Sequence, residues 1–174
     1  ICPSLTFVAT AAAAIQAGAD PVLADIESLE HPTLSPEDAA RRVGGRTRAL
    51  CLMHYGGMAC DAEAFQALAR QRKLALVEDC AHSPGATLHG GALGTFGDVA
   101  CFSFFSNKNL ATGEGGMICC DDDELARRMR LLRSHGMTSL TLDRHKGHAF
   151  SYDVLQAGFN YRLDELRADR KSVV

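Results

Sequence analysis

Three places in this sequence carry residue types that can do covalent or acid–base chemistry. Glu78-Asp79 follows the apolar run Leu74-Ala75-Leu76-Val77, so a carboxylate stands where a buried strand ends. There it can face a ligand, or Asp79 can cap a short helix at Cys80-Ala81-His82, and the local residues leave both readings open. Ser103 closes a second apolar run, Val99-Ala100-Cys101-Phe102, with a hydroxyl. Lys108 follows within Ser106-Asn107-Lys108-Asn109, and Gly113-Glu114-Gly115-Gly116 then permits positive φ and close backbone approach. A free lysine amine, with a pKa of about 10.4, acts as nucleophile or base near neutrality only where its surroundings depress that value. Singly these are weak signals, since most lysines are solvated and most glycine-rich turns are only turns.

The elements that must position these residues alternate between helix and strand. Ala9 to Gly18 reads as an Ala-rich helix stopped by glycine, and Pro21 to Asp25 as a short strand. Ser35-Pro36-Glu37-Asp38 starts a helix: Ser as N-cap, Pro in the first turn, acids at the positive end of the dipole. Strands are expected over Arg48 to His54, Leu74 to Glu78, Asp98 to Phe104 and Gly116 to Cys119. Helices are expected over Asp61 to Arg72, with Phe65, Leu68 and Ala69 on one side, and over Asp123 to Ser134, with Leu125, Met129 and Leu132 inward. Asp121, Asp122, Asp123 and Glu124 read as the cap and first turn of that last helix rather than as a metal site. Ser134 to Gly158 is less patterned and reads as a long excursion.

This alternation predicts an α/β fold with a mostly parallel sheet covered by helices on both faces. Ligands of such sheets bind beyond the carboxyl ends of the strands, which singles out Asp25, His54, Asp79 and Ser103.

The combination is more specific than its parts. Ser103-Phe104-x-x-x-Lys108-x-x-x-x-Gly113-Glu114-Gly115-Gly116, preceded by Glu78-Asp79-Cys80-Ala81-His82-Ser83-x-Gly85-Ala86, resembles the DegT/DnrJ/EryC1/StrS family of sugar aminotransferases. The same family pattern is matched by Pro3-x-x-Thr6-Phe7-x-Ala9-Thr10, Gly18-Ala19-x-Pro21-Val22-x-x-Asp25 and Thr47-Arg48-Ala49. It is matched again by His54-Tyr55-Gly56, His135-Gly136 and Gly158-Phe159-Asn160-Tyr161-Arg162. These are fold-type I enzymes dependent on pyridoxal 5'-phosphate (PLP), and the resemblance runs to about Ala168.

The resemblance implies roles residue by residue. Lys108 would be the Schiff-base lysine and proton shuttle. Asp79 would pair with the pyridinium nitrogen, which keeps the ring an electron sink. His82 would pack beside the ring or its phenolic oxygen, Phe7 would stack on the other face, and Ser103 would hydrogen-bond the phosphate. Asn160 and Arg162 match a segment that in relatives reaches across a dimer interface, Asn160 toward the cofactor and Arg162 toward the substrate. His54, Tyr55 and His135 match the pattern without an assigned chemistry, and a packed or hydrogen-bonded role is expected for them. His31, His89, His145 and His148 read as surface residues.

The function implied is transfer of an amino group, from glutamate, to a nucleotide-linked keto-sugar in polysaccharide, lipopolysaccharide or amino-sugar biosynthesis. A cytoplasmic homodimer is implied with it. The alternatives are a PLP-dependent sugar dehydratase, another fold-type I enzyme such as a cysteine desulfurase, and a catalytically silent regulatory or binding relative. Lys108 stands against the dehydratase, whose members carry His at that place.

Residues 1–168 are therefore expected to be part of the large PLP-binding domain, without the family's Gly-Thr phosphate loop upstream of Ile1 and without its small C-terminal domain. The string Asp169-Arg170-Lys171-Ser172-Val173-Val174 matches one reading frame of a common sequencing-adapter DNA, so residues 169–174 are expected to be a non-native tail.

Composition fits this reading. With 47% hydrophobic and 22% charged residues and a formal net charge of −3, the chain can bury a core and offers no electrostatic case for nucleic acid or a membrane surface. No apolar run approaches the ~20 residues of a membrane span, and the first residues do not read as a signal peptide. The basic cluster Arg127, Arg128, Arg130 and Arg133 has the spacing of a solvated helix face. The seven cysteines form no CxxC pair and read as reduced, small hydrophobes, and no His/Cys spacing suggests zinc.

Overall fold

A computed structural model describes residues 1–139, 145–147 and 150–169. His148, and all of the closing six-residue string except Asp169, lie outside the described residues. The chain divides into two compact units, Ile1–Cys120 and Asp121–Val174.

In the first unit, β3 (Ala49–Met53), β4 (Ala75–Asp79), β7 (Val99–Ser103) and β8 (Gly116–Cys119) form a sheet in the order β3-β4-β7-β8. The first three are parallel and β8 is antiparallel. The register pairs Leu52 with Glu78 and Met53 with Asp79 across β3 and β4, then Glu78 with Ala100 and Asp79 with Cys101 across β4 and β7. Because side chains alternate along a strand, Leu50, Leu52, Leu76, Glu78 and Ala100 share one face, and Met53, Asp79, Cys101 and Ser103 share the other.

The first face is the core. Helix α3 (Ala62–Arg72) lays Ala62, Phe65 and Ala69 against Leu50, Leu52 and Leu76, all buried, with Leu68 packed beside them. Each fully buried Leu or Phe contributes about 1.5–3 kcal/mol of transfer free energy. Asp61 caps this helix by accepting the Ala64 N–H at 3.0 Å, and Lys73 ends it in the left-handed region at φ 55°.

Helix α2 (Pro36–Arg42) begins as its sequence dictates, with Ser35 Oγ accepting the Asp38 N–H. Asp38 then takes the Asp25 N–H at 2.7 Å and the guanidinium groups of Arg41 and Arg42 at 2.8 and 2.7 Å. These partners hold its carboxyl well below the usual range. The strand expected over Pro21 to Asp25 is only β2 (Leu23–Ala24), paired in parallel with β1 (Cys2–Pro3). Beside β1, the Ile1 amino group donates to Ala49 O and the Cys51 N–H to Ile1 O, so β3's outer edge is partnered. Helix α1 (Ala9–Gln16) buries no residue. A hairpin of β5 (Thr87–Leu88) and β6 (Gly91–Ala92) has no counterpart among the expected strands; His89 (φ 49°) and Gly90 (φ 86°) form its two-residue turn.

In the second unit, Asp122 caps α4 (Asp123–Arg133) by accepting the Leu125 N–H, so the acidic string starts a helix. Leu125, Met129 and Leu132 are half-buried rather than buried, so the expected inward face is only partly covered. The excursion after Ser134 is stitched by bridges between Met137 and Val154 and between Ser134 and Asn160. A short helix α5 (Glu165–Ala168) follows, capped by Asp164.

Candidate active site

Asp79 ends the central strand β4 on the face opposite the core. Its Oδ2 accepts the Thr10 hydroxyl at 3.1 Å and its Oδ1 the Ala81 N–H at 3.0 Å. The cap reading is therefore half realised: one oxygen closes a turn over residues 80–82, and no helix follows. Thr6 Oγ lies 3.3 Å from Thr10 Oγ and 3.1 Å from Met53 Sδ. Thr6 has one proton for the two, and sulfur is the weaker acceptor, so the geometry favours a relay from Thr6 through Thr10 to Asp79. Phe7 lies between these two threonines, with 68% of its surface exposed, an unusual state for so large an apolar ring.

Beyond Asp79 the chain turns so that His82 and Lys108 line one cavity of about 200 Å³ with Gly56, Ala81, Asn107 and Asn109. Gly56, at φ 61°, donates its N–H to His82 Nδ1 at 3.1 Å. Nδ1 therefore carries the lone pair and Nε2 the proton. Tyr55 meets the imidazole edge-on, with ring centroids 5.9 Å apart. Partial burial lowers the His82 pKa, the Lys108 charge lowers it further, and Asp79 pulls the other way. His82 thus senses both of the other groups.

Lys108 rides on the loop between β7 and β8. Phe104 closes the base of that loop, donating its N–H to Gly115 O and accepting the Thr112 N–H, both at 2.9 Å. The Lys108 N–H closes an inner turn onto Phe105 O. Gly113 and Gly115 have positive φ, and a Cβ on Gly116 would lie 2.8 Å from Phe102 O, so the glycine string is a backbone requirement. Ser103 ends β7 two residues beyond Asp79's partner Cys101, on the same face, with Oγ accepting the Phe105 N–H at 3.3 Å.

The other expected residues fall elsewhere. Asp25 accepts the Ile26 N–H on Oδ1 and gives its own N–H to Asp38, and takes no part. His54 is fully buried and hydrogen-bonded on both nitrogens: Nδ1 accepts the Cys60 N–H and Nε2 meets Glu78 Oε2, each at 3.1 Å. That is the packed, hydrogen-bonded role expected for it. His31, His89 and His145 are exposed, and His89 pairs with Glu63. His135 and Gly136 both have positive φ, so this pair is a backbone turn. Asn160 and Arg162 belong to the second unit, where Arg162 Nε donates to Asn160 Oδ1 at 2.9 Å and Phe159 stacks on Tyr161.

Sequence spacing did not reveal Thr10, which reads as one residue of a helix start, or the buried trio His54, Glu78 and Cys80. None of the seven cysteines is in a disulfide, and burial pushes the Cys51, Cys60 and Cys80 thiols up to about 12.

A lysine and a histidine in one cavity, with a carboxylate at the adjacent strand end, is an arrangement that comparison with known proteins can name. The profile of the DegT/DnrJ/EryC1/StrS aminotransferase family matches residues 1–169. The chain belongs to the DegT/DnrJ/EryC1/StrS aminotransferase family.

Within that family it is 41% identical over 170 residues to the UDP-N-acetyl-3-dehydro-alpha-D-glucosamine 3-aminotransferase of Acidithiobacillus ferrooxidans, covering 97% of this chain and 42% of that one. It is 41% identical over 171 residues to GDP-perosamine synthase of Caulobacter vibrioides, covering 97% and 43%. Among solved structures, the aminotransferase TlmJ from Streptoalloteichus hindustanus superposes with a TM-score of 0.88 at 36% identity, covering 99% of this chain and 44% of that one. The chain thus spans less than half the length of these relatives. The fold is that of PLP-dependent sugar aminotransferases, as the sequence resemblance implied. No helix among the described residues is long and apolar enough to cross a membrane.

Proposed function

We propose that this chain is the greater part of the cofactor-binding domain of a PLP-dependent aminotransferase that moves an amino group, from glutamate, onto a nucleotide-linked keto-sugar. The observation that carries the proposal is that Lys108 and His82 line one cavity, with Asp79 at the carboxyl end of β4 three residues before His82.

The donor set fits such a cofactor. Asp79 offers anionic oxygens to a protonated ring nitrogen, Lys108 an amine to an aldehyde, Ser103 a hydroxyl to a phosphate, and Phe7 an uncovered aromatic face. When bound, PLP supplies an electron sink for the electron pair left as a proton departs from the substrate carbon. Asp79, held by Thr10 and the Ala81 N–H, keeps a fixed negative charge for the ring nitrogen. His82, with Nδ1 tied to Gly56, presents Nε2–H as a donor to an oxygen in the cavity. Lys108, on a loop closed at Phe104, would hold the cofactor through its amine, and its Nζ would carry a proton between donor and acceptor positions.

The same reading gives Asn160 a place near the cofactor and Arg162 one near the substrate, both in a partner subunit's site, and so makes the protein a homodimer. It carries a cytoplasmic location and a role in polysaccharide, lipopolysaccharide or amino-sugar biosynthesis. Relatives that act on UDP- and GDP-linked sugars support the substrate class.

The test uses the full-length protein purified with PLP. A visible cofactor band, and a pyridoxyl group on Lys108 after borohydride reduction and peptide mapping, would support the reading. So would glutamate-dependent amination of a nucleotide-linked keto-sugar. Absence of the band and the adduct would overturn it in favour of a silent relative.

A further inference from the structure

Glu78, the neighbour of Asp79, points to the opposite face of β4 and is 0% exposed. A carboxylate so placed is tolerated only if hydrogen bonds replace its lost water. Glu78 has four donors, two on each oxygen. Oε2 accepts the Gly94 N–H at 2.9 Å and faces His54 Nε2 at 3.1 Å; Oε1 accepts the Phe96 and Gly97 N–H groups at 2.8 and 2.6 Å. Burial alone would raise its pKa, but the donors outweigh burial and the shift is downward.

The Cys60 N–H on His54 Nδ1 fixes the imidazole proton on Nε2, so His54 is a donor to Glu78. No lone pair on His54 or Glu78 is left for a metal, although Cys80 Sγ completes a trio of the right composition.

This buried group has few reasons to exist other than geometry. It draws together β4, the end of β3, the approach to α3 and the 94–97 loop. The loop is shaped for it: Gly94 has φ 96°, and a Cβ on Gly97 would lie 2.7 Å from Leu76 O and 3.3 Å from Glu78 Cγ. The peptide that follows Asp79 is held on both its groups as well: Asp79 O accepts the His54 N–H, and the Cys80 N–H donates to Cys101 O. One of these bonds comes from the same His54 that binds Glu78.

We infer that Glu78 and His54 are a buried positioning pair that fixes the end of β4, and through it the carboxylate of Asp79, for the ring nitrogen of the cofactor. The inference rests on the proposed role of Asp79 and adds to it two residues that touch neither cofactor nor substrate. Glu78→Gln keeps the shape of the side chain but replaces one acceptor oxygen with a donor, which must then confront another donor.

The experiment is a cycle of Glu78→Gln and Asp79→Asn in the full-length protein, reading the PLP dissociation constant from the absorption band well below each variant's unfolding temperature. Expected are a loss of PLP affinity of about tenfold or more for each single variant, and a double variant no weaker than Asp79→Asn alone. A Glu78→Gln protein that unfolds earlier yet binds PLP with wild-type affinity overturns the inference and leaves the Asp79 role standing. Losses that multiply in the double variant overturn it as well. Wild-type affinity in Asp79→Asn would instead remove the reading beneath it. Should Glu78→Gln fail to fold, His54→Leu removes one of the four donors and is read in the same cycle, with His54→Gln, which retains a donor and an acceptor, expected to recover most of the affinity.

Discussion

Thr10→Val removes one hydroxyl and keeps the shape of the side chain, so its effect isolates the bond from Thr10 Oγ to Asp79 Oδ2. A hydrogen bond to a charged group contributes about 1.5–3 kcal/mol net. Asp79 is half-buried, so the lower end applies. The Thr6 hydroxyl still has Met53 Sδ to turn to, which limits the secondary cost. The apo protein makes the same bond, so only the part that aims Asp79 at the ring nitrogen enters binding; with about 1.5 kcal/mol as the ceiling, the PLP dissociation constant weakens by up to about tenfold. Thr10→Ser keeps the hydroxyl and should stay within about threefold of wild type. The assay is titration of the apo full-length protein with PLP, followed by the cofactor band. Unchanged affinity in Thr10→Val, or an equal loss in Thr10→Ser, would refute the view that this bond aims Asp79.

Other consequences are as direct. Asp38 and Glu78 both have depressed pKa values, so each adds stability that is fully present above the unfolded carboxylate range and is lost as pH falls through its folded value. The unfolding temperature should be flat near neutrality and drop below about pH 4, with a shallower drop in Asp38→Asn. Cys51, Cys60 and Cys80, with thiols pushed up to about 12, should resist alkylation at pH 8 in the native protein and react on unfolding; mass spectrometry of labelled peptides reads this. Phe65→Ala opens a hole between α3 and the sheet and should cost about 3–5 kcal/mol, read by denaturant unfolding.

Much of the fold is legible in the sequence because its signals are local. The runs Ala49–Met53 and Ala75–Asp79 are apolar and bounded, and Ser35, Asp61 and Asp122 each stand where a helix needs a cap. Lys108, Asp79 and His82 are legible through the family pattern, and the cavity brings Lys108 and His82 together. The β5–β6 hairpin escapes notice because two-residue strands have no period, although His89-Gly90 was its available signal. Glu78 escapes because its partners lie 16 to 24 residues away and three of the four are backbone groups, which have no letter in a sequence. The half-burial of Leu125, Met129 and Leu132 escapes because periodicity reports which side of a helix is apolar, not how completely a neighbour covers it.

The two borders of the main sheet are unlike. β3 is flanked by the Ile1 segment, whereas β8 has no second strand partner among the described residues and leaves Met117 and Ile118 47% and 55% exposed. An apolar strand with an open row of amides and carbonyls is a template for whatever extended chain arrives next. In refolding of this chain, pairing of that border with a second copy competes with folding. Concentration, more than temperature, should then set the yield of folded protein, and a lysine in place of Ile118 would act as a gatekeeper there.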